Sequence, residues 1–266
     1  MVHRMKLAIA YHGQSFHGWQ KQRDQRTVQG ELHAALAKLF RDRRVLVVGA
    51  GRTDTGVHAA GQVAHLDSPG SIPPEALARS LNSRLPREIR VLSAHPVADT
   101  FHARKSALGK RYTYRARWRE PRLPWLEQRS AVVRKISESA SFAAALDLFV
   151  GRHDWASFTV TRPGTETTVR TIFRVRLHHR REGIDLDFFG EGFLRYQVRR
   201  MVGALLEVGS GDRDLDDLRN LIENPKPGAQ IRTAPAHGLC LEHVYYRNCP
   251  AVADGQLSRM SSGILS

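Results

Sequence analysis

Apolar and polar positions alternate along the chain in a way that predicts strands and helices in mixed order. Lys6 to Tyr11 reads as a short buried strand, and the loop from His12 to Gln22 mixes aromatics, glycines and hydrogen-bond donors. Thr27 can cap a helix whose Val28, Leu32, Leu36 and Leu39 recur at helical spacing. Val45 to Val48 predicts a strand that empties into a glycine-rich loop, and Gln62 to Leu66 the strand that leaves it. Pro73, Pro74 and Glu75 open a second helix with the buried stripe Leu77, Leu81 and Leu85, followed by a strand from Ile89 to Ser93. From Lys110 to Trp118 a period of two puts Tyr112, Tyr114, Ala116 and Trp118 on one face and Arg111, Thr113, Arg115 and Arg117 on the other.

The proline- and arginine-rich stretch from Arg119 to Pro124 interrupts this pattern. Beyond it, Ser137 or Ser139 caps a helix that buries Phe142, Leu146 and Phe149 and stops at Gly151. Val169 to His178 alternates as a strand with a mostly basic outer face, and a turn at 181–183 returns Ile184 to Phe188 antiparallel to it. Phe193 to Leu206 predicts a buried helix that places Arg195 and Arg199 on one side near its N-terminus, where an arginine opposes the helix dipole and so suggests a bound anion. Asp214 caps a short helix through Ile222, and residues 236–241 open a last strand to Tyr246. These elements predict an α+β fold of two related halves: residues 1–118 with the glycine-rich loop, a hinge over 119–136, a second half over 137–250 and a flexible tail over 251–266.

The loop from Gly49 to Gln62 concentrates the chemistry. Four glycines let its backbone turn tightly, while Arg52, Asp54 and His58 bring three kinds of ionisable group within a few residues. Asp54-Thr55-Gly56 is also the tripeptide of aspartic proteases, which need two such carboxylates face to face. The chain holds one, so a protease would have to be a symmetric dimer.

Charge narrows the partners. The 266 residues carry 41 Lys and Arg against 26 Asp and Glu, a net +15, and a 41% hydrophobic content sufficient for a sizeable core. Such an excess draws polyanions, so nucleic acid is the natural partner, although an arginine-rich composition alone would also produce it. Cys240 and Cys249 are too few for a disulfide framework and lack the spacing of a zinc site, and no run is long enough to span a membrane. A soluble cytoplasmic protein is the expectation. None of the thirteen histidines falls into a metal-binding spacing.

The word Gly51-Arg52-Thr53-Asp54-Thr55-Gly56-Val57-His58 resembles the G-R-T-D-x-G-V-H signature of the TruA family of tRNA pseudouridine synthases. Further words follow in family order. They are His12-Gly13 through Phe16 and Gly18-Trp19-Gln20, Thr27 to Leu32, Lys110-Arg111-Tyr112-Thr113-Tyr114, Phe193 with Val198-Arg199 and Val202-Gly203, and Ala234-Pro235 with Gly238-Leu239 and Leu241. One departure is Thr55, where the signature most often has alanine.

The resemblance implies two ferredoxin-like halves sharing a mixed, mainly antiparallel sheet, with a basic cleft between them. It implies Asp54 as catalytic nucleophile, Arg199 as the cation that keeps it ionised with Arg52 as a nearer neighbour in sequence, and Tyr112 as the ring on which a flipped base stacks. Leu241 would line the base pocket and His58 would order the loop. Arg23, Lys105, Arg111, Arg170 and Arg174 are candidates for tRNA phosphates. The family acts without cofactor or metal, as a homodimer, on uridines at positions 38, 39 and 40 of the anticodon stem-loop. A catalytically silent tRNA-binding protein would share the same charge.

Overall fold

The structure, a computed structural model, describes residues 3–42, 44–119, 127–160 and 167–247. Most of the predicted hinge's proline-rich stretch and the predicted tail lie outside these residues. Two compact units emerge, one made of Met1–Ala107 with Cys240–Val244, the other of Leu108–Leu239 and the residues from Tyr245.

The first unit is built on strands β1 (His3–Tyr11), β2 (Val47–Gly49), β3 (His58–Ser68) and β4 (Ile89–Pro96), to which β10 (Leu239–Tyr245) is added. β1 runs antiparallel to both β3 and β4, β2 pairs antiparallel with β3, and β10 lies parallel to β3 with Cys240 opposite His58 and Leu241 opposite Ala59. On β1 the period-two pattern holds, since Met5, Leu7, Ile9 and Tyr11 are all buried. Helices α1 (Val28–Phe40) and α2 (Pro74–Asn82) bury Leu32, Leu36, Leu77 and Leu81, each removal from water stabilising by about 1.5–3 kcal/mol. Thr27 caps α1 as predicted, its hydroxyl accepting the Gly30 amide at 3.2 Å.

In the second unit β5 (Gly109–Arg117), β9 (Gly183–Gly190), β8 (Val169–Arg180) and β7 (Gly151–Asp154) form an antiparallel ladder, and the short β6 (Ala131–Val132) runs parallel to β5. β5, which the sequence pattern grouped with the N-terminal half, is part of this unit because its full-length antiparallel partner is β9. Helices α3 (Ala140–Leu148), α4 (Gln197–Ser210) and α5 (Leu215–Glu223) pack together. Ser139 is the residue that caps α3, accepting from the Phe142 amide at 3.3 Å. Edge-on and tilted contacts among Phe149, Trp155 and Phe158, with centroids 5.5 to 6.0 Å apart, fill the space beside it. The ten described strands are mainly antiparallel and the five described helices pack around them, an α+β fold.

Three expectations are corrected. α4 begins at Gln197, four residues after Phe193, because Tyr196 sits in the left-handed region at φ 61°, which a right-handed helix cannot contain. Arg195 is therefore not on the helix beside Arg199. Gly151 does not end α3, which stops at Leu148; at φ 124° it instead opens β7. Residues 236–238 form a single tight turn before β10 starts at Leu239.

Candidate active site

The glycine-rich loop is held from several directions within the first unit. At its entrance the Ala50 amide donates to the Val63 carbonyl at 2.7 Å, and at its tip the Val57 amide closes a turn onto the Asp54 carbonyl at 3.1 Å. The segment after β1 packs against the other side. There the Trp19 amide donates to the Thr53 carbonyl at 3.2 Å and the Gly56 amide to the Phe16 carbonyl at 3.3 Å. Two glycines make this approach possible. A Cβ on Gly13 would stand 2.0 Å from the Val57 carbonyl oxygen, and one on Gly18, whose φ is 81°, would stand 2.4 Å from that of Thr53. Asp54 is half-buried on this fixed backbone, with Thr53, Val57 and His58 buried around it.

His58 is tied to the segment after β1. It opens β3, and its Nδ1 accepts the Gly13 amide at 3.1 Å while the His12 ring meets it edge-on with centroids 4.6 Å apart. Leu241, fully buried on β10, is registered opposite Ala59, the residue after His58. Arg52 is exposed and its Nε donates to the Gln20 side chain at 3.1 Å, so it ties the loop to the segment after β1. Arg23 is almost wholly exposed, 3.6 Å from Asp24, and Lys105 is exposed.

The other predicted residues belong to the second unit. Tyr112 is buried on β5, opposite Phe188 in register, with Phe193 edge-on at 5.2 Å. Arg199, in the first turn of α4, is half-buried. Its Nε donates to the Ala234 carbonyl at 2.7 Å, the Ala234 amide returns a bond to the Arg199 carbonyl at 3.1 Å, and its guanidinium lies 5.3 Å from the Tyr196 ring centre. The word Ala234-Pro235 thus packs against the word Val198-Arg199, two motifs more than thirty residues apart. His237 close by is held below the usual imidazole pKa by burial and secondarily by the Arg199 charge. Tyr114 is fully buried against Gly238 and its phenol is pushed up by burial. Arg111 rests on the Phe189 ring at 6.0 Å, Arg170 donates to the Thr167 carbonyl at 3.2 Å, and Arg174 is half-buried on β8.

Sequence reasoning gave no role to Tyr11, Thr53 and Gln62, three buried polar side chains in and beside the loop. The Tyr11 and Thr53 hydroxyls are 2.9 Å apart, and Gln62 Nε2 donates to the Gly51 carbonyl at 3.0 Å. Tyr11 and Gln62 fall inside strands where a period-two pattern sees only core, and the contacts join residues 42 and 51 positions apart.

With this geometry in view, similarity to known proteins becomes specific. A family model described as tRNA pseudouridine synthase matches residues 7–104 and 145–247. The chain is 40% identical over 250 residues to a tRNA pseudouridine synthase A of Levilactobacillus brevis, covering 92% of this chain and 94% of the relative. It is 39% identical over 249 residues to one of Latilactobacillus sakei subsp. sakei, covering 93% and 100%, and 39% identical over 272 residues to one of Maridesulfovibrio salexigens, covering 99% and 98%. The aspartic-protease reading of Asp54-Thr55-Gly56 gives way to these matches, the family model taking in the loop and the words around Arg199 and Leu241 together. The chain belongs to the TruA family of tRNA pseudouridine synthases, isomerases that convert uridine to pseudouridine in tRNA.

Proposed function

We propose that Asp54 is the nucleophile of this isomerisation, that Arg199 keeps it ionised, and that Tyr112 stacks the uracil once it has left its helix. The substrates are uridines 38, 39 and 40 of the anticodon stem-loop, the reaction runs without cofactor, and the enzyme works in the cytoplasm as a homodimer. The observation that carries this reading is the fixed loop around Asp54, in which backbone bonds from Trp19, Val57 and Gly56 and a histidine bond to Gly13 leave the carboxylate-bearing residue few conformations. Such pre-organisation is what a nucleophile needs, because reacting atoms must be held near attack distance.

Atoms balance without an external electron. The C1′–N1 glycosidic bond breaks, the uracil turns, a C1′–C5 bond forms, the proton leaves C5 and a proton is taken up at N1. A carboxylate can supply the covalent step and assist removal of the C5 proton. Leu241 contributes an apolar wall, which favours a carboxylate pairing with a cation over one left in water. Arg23, Lys105, Arg111, Arg170 and Arg174 contribute to phosphate binding, the term that makes tRNA affinity fall with salt.

Tritium release from tRNA labelled at uracil C5 tests the proposal, since forming the new bond expels that hydrogen. Asp54→Asn is expected to abolish release and leave salt-dependent tRNA binding within about 3-fold of wild type. Product formation by Asp54→Asn at a rate near wild type would remove Asp54 from the mechanism. Release confined to uridines outside positions 38 to 40 would remove the anticodon stem-loop assignment.

A further inference from the structure

Tyr11, Thr53 and Gln62 form a buried polar cluster at the Asp54 loop. All three side chains are buried, at the end of β1, in the loop and in β3. Gln62 Nε2 donates to the Gly51 carbonyl at 3.0 Å and lies 3.5 Å from the Tyr11 hydroxyl, while Gln62 Oε1 accepts the Val63 amide at 3.2 Å. A carbonyl oxygen only accepts, so the Gln62 nitrogen is the atom that faces Gly51, and the same nitrogen meets Tyr11 as a donor. The phenol oxygen can receive from Gln62, and it lies 2.9 Å from Thr53 Oγ1 in a contact that either hydroxyl can donate. When the phenol donates, the Thr53 hydroxyl keeps a proton to place, one residue before Asp54.

Burial holds the Tyr11 phenol well above its ordinary range, so it stays a neutral donor throughout the working pH range. Stability alone gives little reason for this arrangement, because a phenylalanine at the end of β1 would bury the same ring without a hydroxyl to satisfy. We propose that Tyr11 is a positioning residue for catalysis: by donating to Thr53 it turns the Thr53 hydroxyl toward the Asp54 carboxylate and fixes that carboxylate for attack. Gln62 completes the chain by fixing both the phenol and the Gly51 carbonyl at the loop entrance. The inference rests on the reading of Asp54 as nucleophile. It adds a hydrogen-bond chain that no single motif contains.

The experiment compares Tyr11→Phe, Thr53→Val, the double variant and Thr53→Ser in steady-state tritium release, with melting temperatures alongside. Tyr11→Phe and Thr53→Val are each expected to lower kcat about 10-fold with KM for tRNA within about 2-fold, as for an interaction made in the transition state. The double variant is expected to be no slower than the slower single variant, because both remove one chain, and Thr53→Ser, which keeps the hydroxyl, to restore kcat. Unchanged kcat in Tyr11→Phe, losses that multiply in the double variant, or a loss lying wholly in KM would overturn the proposal. Should Tyr11→Phe fail to fold, the contrast between Thr53→Val and Thr53→Ser decides by the same criteria. Asp54→Asn run in parallel separates the two readings: turnover by that variant removes the nucleophile assignment, whereas an inactive Asp54→Asn beside a normal Tyr11→Phe removes only the role of Tyr11.

Discussion

Substituting Gly18 by alanine probes whether the segment after β1 holds the Asp54 loop in place. The backbone there has φ 81°, which costs a non-glycine residue about 1–2 kcal/mol. For a protein of this size that corresponds to a fall in melting temperature of about 2–8 °C. The new methyl carbon would also stand 2.4 Å from the Thr53 carbonyl oxygen and 3.2 Å from the Asp54 carbonyl carbon. Both neighbours are backbone, so no side chain can swing aside. A carbon needs at least about 3.0 Å, so the Thr53 carbonyl must retreat by about 0.6 Å, carrying the Asp54 backbone with it. Since a misplacement near 1 Å costs a positioned reaction about 10²-fold, Gly18→Ala is expected to slow single-turnover tritium release about 10-fold or more. The assay uses saturating enzyme at a temperature well below both melting points, with Gly70→Ala as control, because nothing lies within 4 Å of a Cβ there. Release by Gly18→Ala within about 2-fold of wild type would refute the idea that this contact fixes the nucleophile.

Two further outcomes follow from the geometry. Tyr112→Phe is expected to retain turnover within about 3-fold and Tyr112→Leu to lose about 10-fold or more, as base stacking on an aromatic ring contributes about 1–3 kcal/mol; equal losses in the two variants would shift the role to the hydroxyl. Stability should also fall as pH drops below 6.5, because burial holds His33, His65 and His237 below that ordinary value and the unfolded chain then binds protons more readily than the folded one. His65 Nδ1 accepts the Ala103 amide and His33 Nε2 accepts the Val47 amide, bonds that an imidazolium cannot make. A urea midpoint that stays level or rises between pH 7.5 and 5.0 would contradict this assignment.

The elements were legible wherever periodicity had only one interpretation. Thr27 and Ser139 cap the helices expected of them, and the aromatic face of residues 110–118 is the buried face of β5. Two misreadings, at α4 and at Gly151, come from positive-φ backbone that leaves no mark on hydrophobic spacing. Tyr196 in the left-handed region delays α4, and Gly151, at φ 124°, starts a strand where a helix stop was expected. Residue 46 continues the apolar run of the predicted strand, yet Leu46 is 57% exposed and the paired strand starts at Val47.

The sequence by itself determined the α+β class, the family and the chemistry-bearing loop, because these depend on local alternation, charge and the residue types within short words. Only the tertiary structure decided what supports that loop. Tyr11 meets Thr53 and Gln62 from 42 and 51 residues away, and Ala234 reaches Arg199 from 35 residues further along the chain. Hydrogen bonds between buried groups are set by where strands register and where backbones approach, and those distances are fixed by packing rather than by neighbours in sequence.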